Sequence, residues 1–314
     1  MPDGHKLQLV FIFNHRFEQN IPRLESFYGE RFSRRKYIVP FVRTGQPDVI
    51  PVYENGPTFS GHIAQAAHGY LDGEVSHYVF LADDLILNPG LNETNLLSTL
   101  ALRESEGYIK CLSPADEWAY KWANSVRGFY SMADPGFDPR AELPAAQQAK
   151  EKFAAMGLAT GVPRPRSLGD IRYTLWSVRL GLVRFAQGFV VMGRQPKYPL
   201  LAGYSDFIVV PAVSIERFVH YCGVFAAMNM FAELAVPTAL ALACDSVRTE
   251  LRMGDFFTDP SALPAAGIRM RGKELWNEEI AEFSEPLAYS WKRLIDTFPP
   301  DRLYVHPVKL SKWN

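Results

Sequence analysis

The chain has 314 residues, of which 47% are hydrophobic, and a formal net charge of −1. This length and composition are sufficient for a large buried core, and the balanced charge argues against a dedicated nucleic-acid-binding protein. The three widely spaced cysteines exclude a disulfide framework, and the first residues lack the features of a signal peptide, so we expect a cytoplasmic protein.

Strands and helices alternate along the first ninety residues. Apolar runs separated by turn residues predict strands at residues 7–13, 37–42, 49–53 and 78–81, with helices at residues 22–31 and 60–71. Because this order favours parallel pairing, it predicts an α/β protein with a mostly parallel central sheet flanked by helices. The glycine-rich dinucleotide and P-loop motifs are absent.

The pattern continues with a predicted helix at residues 92–103 and a strand at residues 107–112. Frequent proline and glycine then predict a helical or loop insertion at residues 134–199, within one domain of residues 1–314. The apolar stretch at residues 223–244 predicts a buried helix that ends near Val236, followed by a second element, because a charge and a proline within it make a membrane span improbable.

Residues 163–199 carry a basic bias, with arginines between apolar side chains. This pattern is typical of an amphipathic helix that rests on the cytoplasmic face of a membrane or contacts a lipid-linked acceptor. The alternative is a helix packed on the domain with its arginines in water.

Asp83 and Asp84 follow a buried strand and precede a second apolar run. Adjacent carboxylates at the end of a strand supply hard oxygen ligands that can hold a divalent metal against a diphosphate. The alternative is an ordinary loop start or helix cap. His306 and Lys309 also follow a short apolar run, so the two segments together suggest a split metal and phosphate site.

Five segments together resemble, in chain order, nucleotide-sugar-dependent glycosyltransferases of the GT-A fold, a Rossmann-like arrangement. These segments are the first strand, the helix after Ser60, the Asp83-Asp84 pair, the segment at residues 204–207 and the segment from His306 to Lys309. The resemblance spans nearly the whole chain, and the motifs that carry it are short. It departs from the Asp-x-Asp of many members, because the chain has Ala82 directly before the acidic pair.

The resemblance implies transfer of a hexose from a nucleotide sugar, UDP-sugar above all, to a glycan or lipid-linked acceptor, as in polysaccharide biosynthesis. It implies that Asp84 and His306 bind Mn²⁺ or Mg²⁺, that Asp83 binds the metal or the ribose, and that Lys309 contacts the diphosphate. A divalent cation and a lysine would stabilise the charge that develops on the leaving group. The alternative for His306 is a structural histidine at the end of a strand.

Asp206 and Glu233 are the candidate catalytic residues and could serve as general base toward the acceptor, because each carboxylate lies beside apolar residues where its pKa can be raised. A structural carboxylate bonded to an arginine or a loop is the alternative for both. Asn14 and His15 follow the first strand, where the base and ribose of a nucleotide are expected.

Two other functions remain open. A sugar-phosphate nucleotidyltransferase needs a glycine-rich basic loop after its first strand, and residues 14–17 contain no glycine. A non-catalytic glycan-binding or scaffold protein would use the same fold without turnover.

Overall fold

The computed structural model describes residues 6–115, 136, 138–160, 198–249, 289–298 and 302–314. Its centre is a seven-stranded sheet with the strand order β3-β2-β1-β4-β9-β6-β10. Those strands are β1 (Leu7–Ile12), β2 (Arg34–Pro40), β3 (Val49–Val52), β4 (His77–Ala82), β6 (Glu106–Ile109), β9 (Phe207–Pro211) and β10 (Ser246–Arg248). The described residues are therefore organised as an α/β fold with a mostly parallel sheet.

The central strands are buried on both faces. All residues of β1 and β4 are buried, and alternate side chains of each strand enter opposite layers of the core. Val10 and Ile12 lie in one layer, whereas Leu9 and Phe11 lie in the other. This explains why the strands appear in the sequence as continuous apolar runs rather than alternating ones.

Helices cover both faces of the sheet. The helices are α1 (Ile21–Tyr28), α2 (Ser60–Gln65), α3 (Ala67–Tyr70), α4 (Leu96–Thr99), α5 (Ala146–Ala155), α6 (Ala212–Ala227), α7 (Ala232–Ala243) and α8 (Trp291–Asp296). Buried side chains of α2, α3, α5, α6 and α7 belong to one core layer, and those of α1, α4 and α8 belong to the other. The result is a three-layer arrangement.

The order of the strands reverses beside β1. The chain runs from β1 outward to β2 and β3, and then returns to form β4 on the other side of β1. In open α/β sheets such a switch point leaves a crevice beyond the carboxyl ends of the strands, where ligands bind. Strand β9 is antiparallel to both β4 and β6, so its first residues lie at this same edge.

Two small sheets complete the fold. Strand β11 (Tyr304–Val305) pairs antiparallel with β5 (Ile86–Leu87), and β7 (Ser113–Pro114) pairs antiparallel with β8 (Leu201–Ala202). The segment after β11 is packed against the domain, since Val308, Leu310 and Trp313 are buried. Arg23 donates a hydrogen bond from Nη1 to the Leu310 carbonyl at 2.7 Å.

The predicted strands are confirmed, with small shifts at their ends. Two predicted helices differ. The helix predicted at residues 60–71 is divided into α2 and α3, and the one predicted at residues 92–103 is reduced to the single turn of α4. Around α4, the Asn92 side chain accepts hydrogen bonds from the Thr94 and Asn95 N–H groups, so local polar contacts replace helical ones.

The prediction of a helix ending near Val236 is wrong. Helix α6 ends at Ala227, and α7 continues through Pro237. Asn229, which has a positive φ of 51°, lies in the turn between them, a conformation that asparagine tolerates better than most residues. Proline lacks the N–H that would bond the Glu233 carbonyl, and the Gly203 N–H donates to that carbonyl instead, at 3.0 Å.

Of the predicted insertion at residues 134–199, the structure describes residues 136, 138–160 and 198–199. Helix α5 lies in this part and packs Ala149 and Phe153 into the core. The basic segment at residues 163–199 lies outside the described residues except at its last two positions, so its membrane contact stays a prediction. In the part of the chain that the structure describes, none of the helices is both long enough and apolar enough to cross a membrane.

Candidate functional site

The end of strand β4 places Asp83 and Asp84 at the switch point. In the register of β1 and β4, Ala82 lies opposite Ile12, so the acidic pair emerges where β1 also ends. The Asp83 N–H donates to the Ile12 carbonyl at 3.1 Å, which extends the ladder by one residue. The pair therefore begins from a rigid strand end rather than from a mobile loop.

Asp206 reaches the same edge because β9 runs in the opposite direction. Phe207, the first residue of β9, pairs with Leu81, and the Asp206 carbonyl accepts a hydrogen bond from the Ala82 N–H at 2.8 Å. At this edge of the sheet, the parallel strands contribute the residues that follow their last positions, whereas the antiparallel strand β9 contributes the residue that precedes its first position. The sheet thus brings Asp206 beside the acidic pair.

The pairing of β11 with β5 brings the C-terminal segment to Asp84. Val305 pairs with Ile86, and the Val308 N–H donates to the Asp84 carbonyl at 2.6 Å. His306 Nε2 lies 3.2 Å from Asp84 Oδ1 and 3.9 Å from Asp206 Oδ1. The predicted convergence of these two distant segments is present in the structure.

Lys309 is the outermost member of this group. Its Nζ donates to Asp84 Oδ2, and its side chain is 58% exposed, whereas the Asp84 side chain is 13% exposed. A half-exposed ammonium group therefore covers a nearly buried carboxylate on the solvent side. We call Asp84, Asp206, His306 and Lys309 the edge cluster.

The two adjacent aspartates have opposite electrostatic environments. Burial and the negative charge of Asp84 raise the pKa of Asp83 to about 7, although a hydrogen bond from the Asn20 side chain favours its ionised form. For Asp84, burial alone would raise the pKa, but the positive charges of His306 and Lys309 outweigh it and hold the pKa below its ordinary value. These contacts consequently favour the ionised form of Asp84.

His306 is stabilised in its charged form. Burial lowers its pKa, but the carboxylates of Asp206 and Asp84 outweigh that effect, and the net result is a raised pKa. Asp84 and Asp206 therefore favour the protonated form of His306. Two basic side chains, His306 and Lys309, contact the one carboxylate of Asp84.

Asn14 and His15 lie at the same edge, after β1. Asn14 Oδ1 is buried and lacks a hydrogen-bond partner among the described residues, an arrangement that would suit a ligand donor. His15 is exposed, and its ring makes an edge contact with Phe17 at 5.8 Å between ring centroids. Their predicted role in nucleotide binding stays a prediction.

Glu233 lies in the first turn of α7 and is half-buried. Two hydrogen bonds hold this turn against the segment that leads to Asp206: the Gly203 N–H donates to the Glu233 carbonyl, and Ser205 Oγ donates to the Ala232 carbonyl at 3.3 Å. The structure therefore places Glu233 near the strand end that carries Asp206, and its catalytic role stays a prediction.

No protein-family model matches the sequence, and no curated protein matches it. The expected membership of the GT-A glycosyltransferases therefore stays a prediction.

The arrangement around Asp84 does not favour the predicted Mn²⁺ or Mg²⁺. Within the described ranges, no group of three or more histidine, cysteine, aspartate or glutamate side chains is placed to hold a metal ion. The two carboxylate oxygens of Asp84 contact His306 and Lys309, respectively. Metal ions of this type need several free oxygen ligands. Metal binding by Asp84 and His306 therefore stays a prediction that these contacts do not support.

Sequence reasoning missed two polar residues of this edge. Lys110 is nearly buried at the end of β6, with its Nζ 5.1 Å from the centroid of the Tyr204 ring, and its charge acts on His306. Asn20 is buried and bonds Asp83. A lysine within an apolar strand was a visible signal for the first, because lysine is rarely buried without a reason. Asn20 gave no such signal.

Proposed function

We propose that this protein is a GT-A-like glycosyltransferase that transfers a hexose from a nucleotide sugar, UDP-sugar above all, to a glycan or lipid-linked acceptor. The observation that carries the proposal is the edge cluster, in which Asp84, Asp206, His306 and Lys309 meet beyond the carboxyl ends of β1 and β4. Ligands of open α/β sheets bind at this position.

Lys309 supplies the positive charge that a sugar nucleotide requires. Cleavage of the glycosidic bond increases the negative charge on the departing diphosphate, and a cation held in place stabilises that charge. The Lys309 ammonium is anchored at Asp84 yet half-exposed, so it can turn toward a diphosphate that lies over the cluster. His306, more deeply buried, holds Asp84 in position from the other side.

Asp206 is the first candidate for the base that accepts the proton of the acceptor hydroxyl. Its side chain is 22% exposed, more than that of Asp84, and it lies at the start of a buried strand. A positioned carboxylate of this kind accelerates transfer by general base catalysis. Glu233 is the second candidate, because its helix turn is bonded to the same segment. Asn14 and His15 are the proposed contacts for the base and ribose.

The decisive experiment is an assay of the purified chain against a panel of UDP-sugars, with release of UDP and transfer to glycan or lipid-linked acceptors as readouts. Asp206→Asn is expected to reduce kcat by about 100-fold or more with little change in UDP affinity, because loss of a general base affects the chemical step. Glu216→Gln, an exposed acid on α6, is the matched control and is expected to leave turnover unchanged.

Two outcomes would contradict the proposal. Release of pyrophosphate from a nucleoside triphosphate and a sugar phosphate, without transfer from UDP-sugars, would indicate a nucleotidyltransferase. Binding of a glycan without turnover of any UDP-sugar would indicate a scaffold.

A further inference from the structure

The carboxylate at the centre of the edge cluster is already contacted by two basic side chains of the protein. We propose that Lys309 and His306 occupy, on Asp84, the place that a divalent metal would take, so that the Lys309 ammonium meets a bound diphosphate without a bridging metal ion. The diphosphate part of this inference rests on the proposed function, whereas the cation part concerns the protein alone.

The geometry assigns one basic side chain to each oxygen of Asp84. His306 Nε2 lies 3.2 Å from Oδ1, and Lys309 Nζ donates to Oδ2. A metal ion bound to the same oxygens would have to displace the lysine, and its charge would repel the Lys309 ammonium at a distance of a few ångströms. The carboxylate is therefore a poor metal ligand while Lys309 is in place.

The backbone fixes Lys309 at this position. The Val308 N–H donates to the Asp84 carbonyl at 2.6 Å, and the Lys312 N–H donates to the Lys309 carbonyl at 2.7 Å in a short 3₁₀ turn. Val308 and Leu310, the neighbours of Lys309 in sequence, are both buried. The fold therefore holds the backbone of Lys309 in a position from which its side chain reaches Asp84.

Basic side chains surround the carboxylates at this edge. Lys309 and His306 contact Asp84, and His306 also lies 3.9 Å from Asp206. Buried Lys110 adds a positive charge that acts on His306. A divalent ion would have to compete with these groups for the oxygens of Asp84 and Asp206.

The test is a titration of the protein with Mn²⁺ alone, in which the electron paramagnetic resonance signal of the free ion is the readout. Lys309→Ala is expected to bind Mn²⁺ about tenfold more tightly than the wild type, because it frees Asp84 Oδ2 and removes a like charge. Lys309→Arg, which keeps the charge, and Lys312→Ala, a nearby exposed lysine, are expected to match the wild type.

Two results would overturn the inference: equal Mn²⁺ affinity in the wild type and Lys309→Ala, or micromolar Mn²⁺ binding by the wild type that Asp84→Asn removes. Circular dichroism of each variant checks that it is folded, and Lys309→Arg provides a comparison if the alanine variant is not.

A parallel calorimetric titration with UDP, in EDTA and in Mn²⁺, separates this inference from the proposed function. Equal UDP affinity in the two buffers supports both. UDP binding that requires Mn²⁺ overturns the metal-free site but leaves the glycosyltransferase proposal standing. Absence of UDP binding in both buffers contradicts the glycosyltransferase proposal. The Mn²⁺ titration then tests by itself whether Lys309 and His306 take the place of a metal ion on Asp84.

Discussion

Asp83 and Asp84 are neighbours in sequence, and their pKa values shift in opposite directions. The difference comes from their partners: Asp84 contacts His306 and Lys309, whereas Asp83 is buried beside the charge of Asp84. An acidic pair in a sequence cannot reveal this division, because the cations come from a segment more than two hundred residues away. The positions of both carboxylates followed from the apolar strand before them, but their ionisation states followed only from the assembled site.

The raised pKa of Asp83 predicts that stability falls as the pH rises. Between about pH 4 and pH 7 the folded protein holds a proton on Asp83 that the unfolded chain has released, so the free energy of unfolding decreases across this window. His306 acts in the same direction: its stabilising contribution, complete below its ordinary pKa, is lost as the pH rises through its raised value.

We therefore expect the melting temperature of the wild type, measured in EDTA, to decline from pH 5 to pH 8, and that of Asp83→Asn to decline less. The decrease in the free energy of unfolding across the window should differ between the two proteins by about 1–2 kcal/mol. This is less than the full shift implies, because the two carboxylates titrate as a pair. Parallel curves for the two proteins would show that Asp83 is ionised in the fold.

At the scale of elements, strands were easier to predict than helices. A strand buried on both faces is a continuous apolar run, and β1 and β4 were visible for that reason. Helix ends depend on contacts that a sequence does not display: α7 continues through Pro237 because Gly203 satisfies the Glu233 carbonyl. The antiparallel direction of β9, which brings Asp206 to the site, was likewise not predicted.

The Gly203 contact predicts a specific sensitivity. A Cβ at this position would overlap the Cys111 carbonyl oxygen, so Gly203→Ala is expected to shift the segment, weaken its bond to α7 and destabilise the protein by about 2–3 kcal/mol. Gly45→Ala is the matched control, because nothing lies within 4 Å of its added Cβ. Chemical denaturation of both variants measures the difference, and equal midpoints would contradict the role of Gly203.

At the scale of the whole molecule, the site depends on packing of the C-terminal segment. Two neighbours of Lys309, Val308 and Leu310, are buried in the core layer that also contains α1, and Arg23 of that helix bonds the Leu310 carbonyl. The convergence of this segment with Asp84 was predicted from the residue types that follow two apolar runs and from a resemblance, rather than from periodicity. Its physical cause, the pairing of β11 with β5, involves two-residue strands that are too short to detect in a sequence.

Leu310→Ala should therefore affect both stability and binding. Loss of this buried side chain is expected to cost about 2–4 kcal/mol. Because Lys309 is its neighbour, the proposed function predicts that UDP affinity also falls at a temperature where the variant remains folded. Lys312→Ala, exposed in the same turn, is expected to change neither quantity, and calorimetry of both variants provides the comparison. Unaltered UDP affinity in Leu310→Ala would show that packing of the C-terminal segment does not affect UDP binding.

The pairing of β11 with β5 also has a consequence for biosynthesis. While the chain is still emerging from the ribosome, the acidic pair exists for more than two hundred codons before His306 and Lys309 are translated. A nascent or prematurely terminated product would thus lack both basic side chains that contact Asp84. The edge cluster can therefore assemble only after translation has passed Lys309.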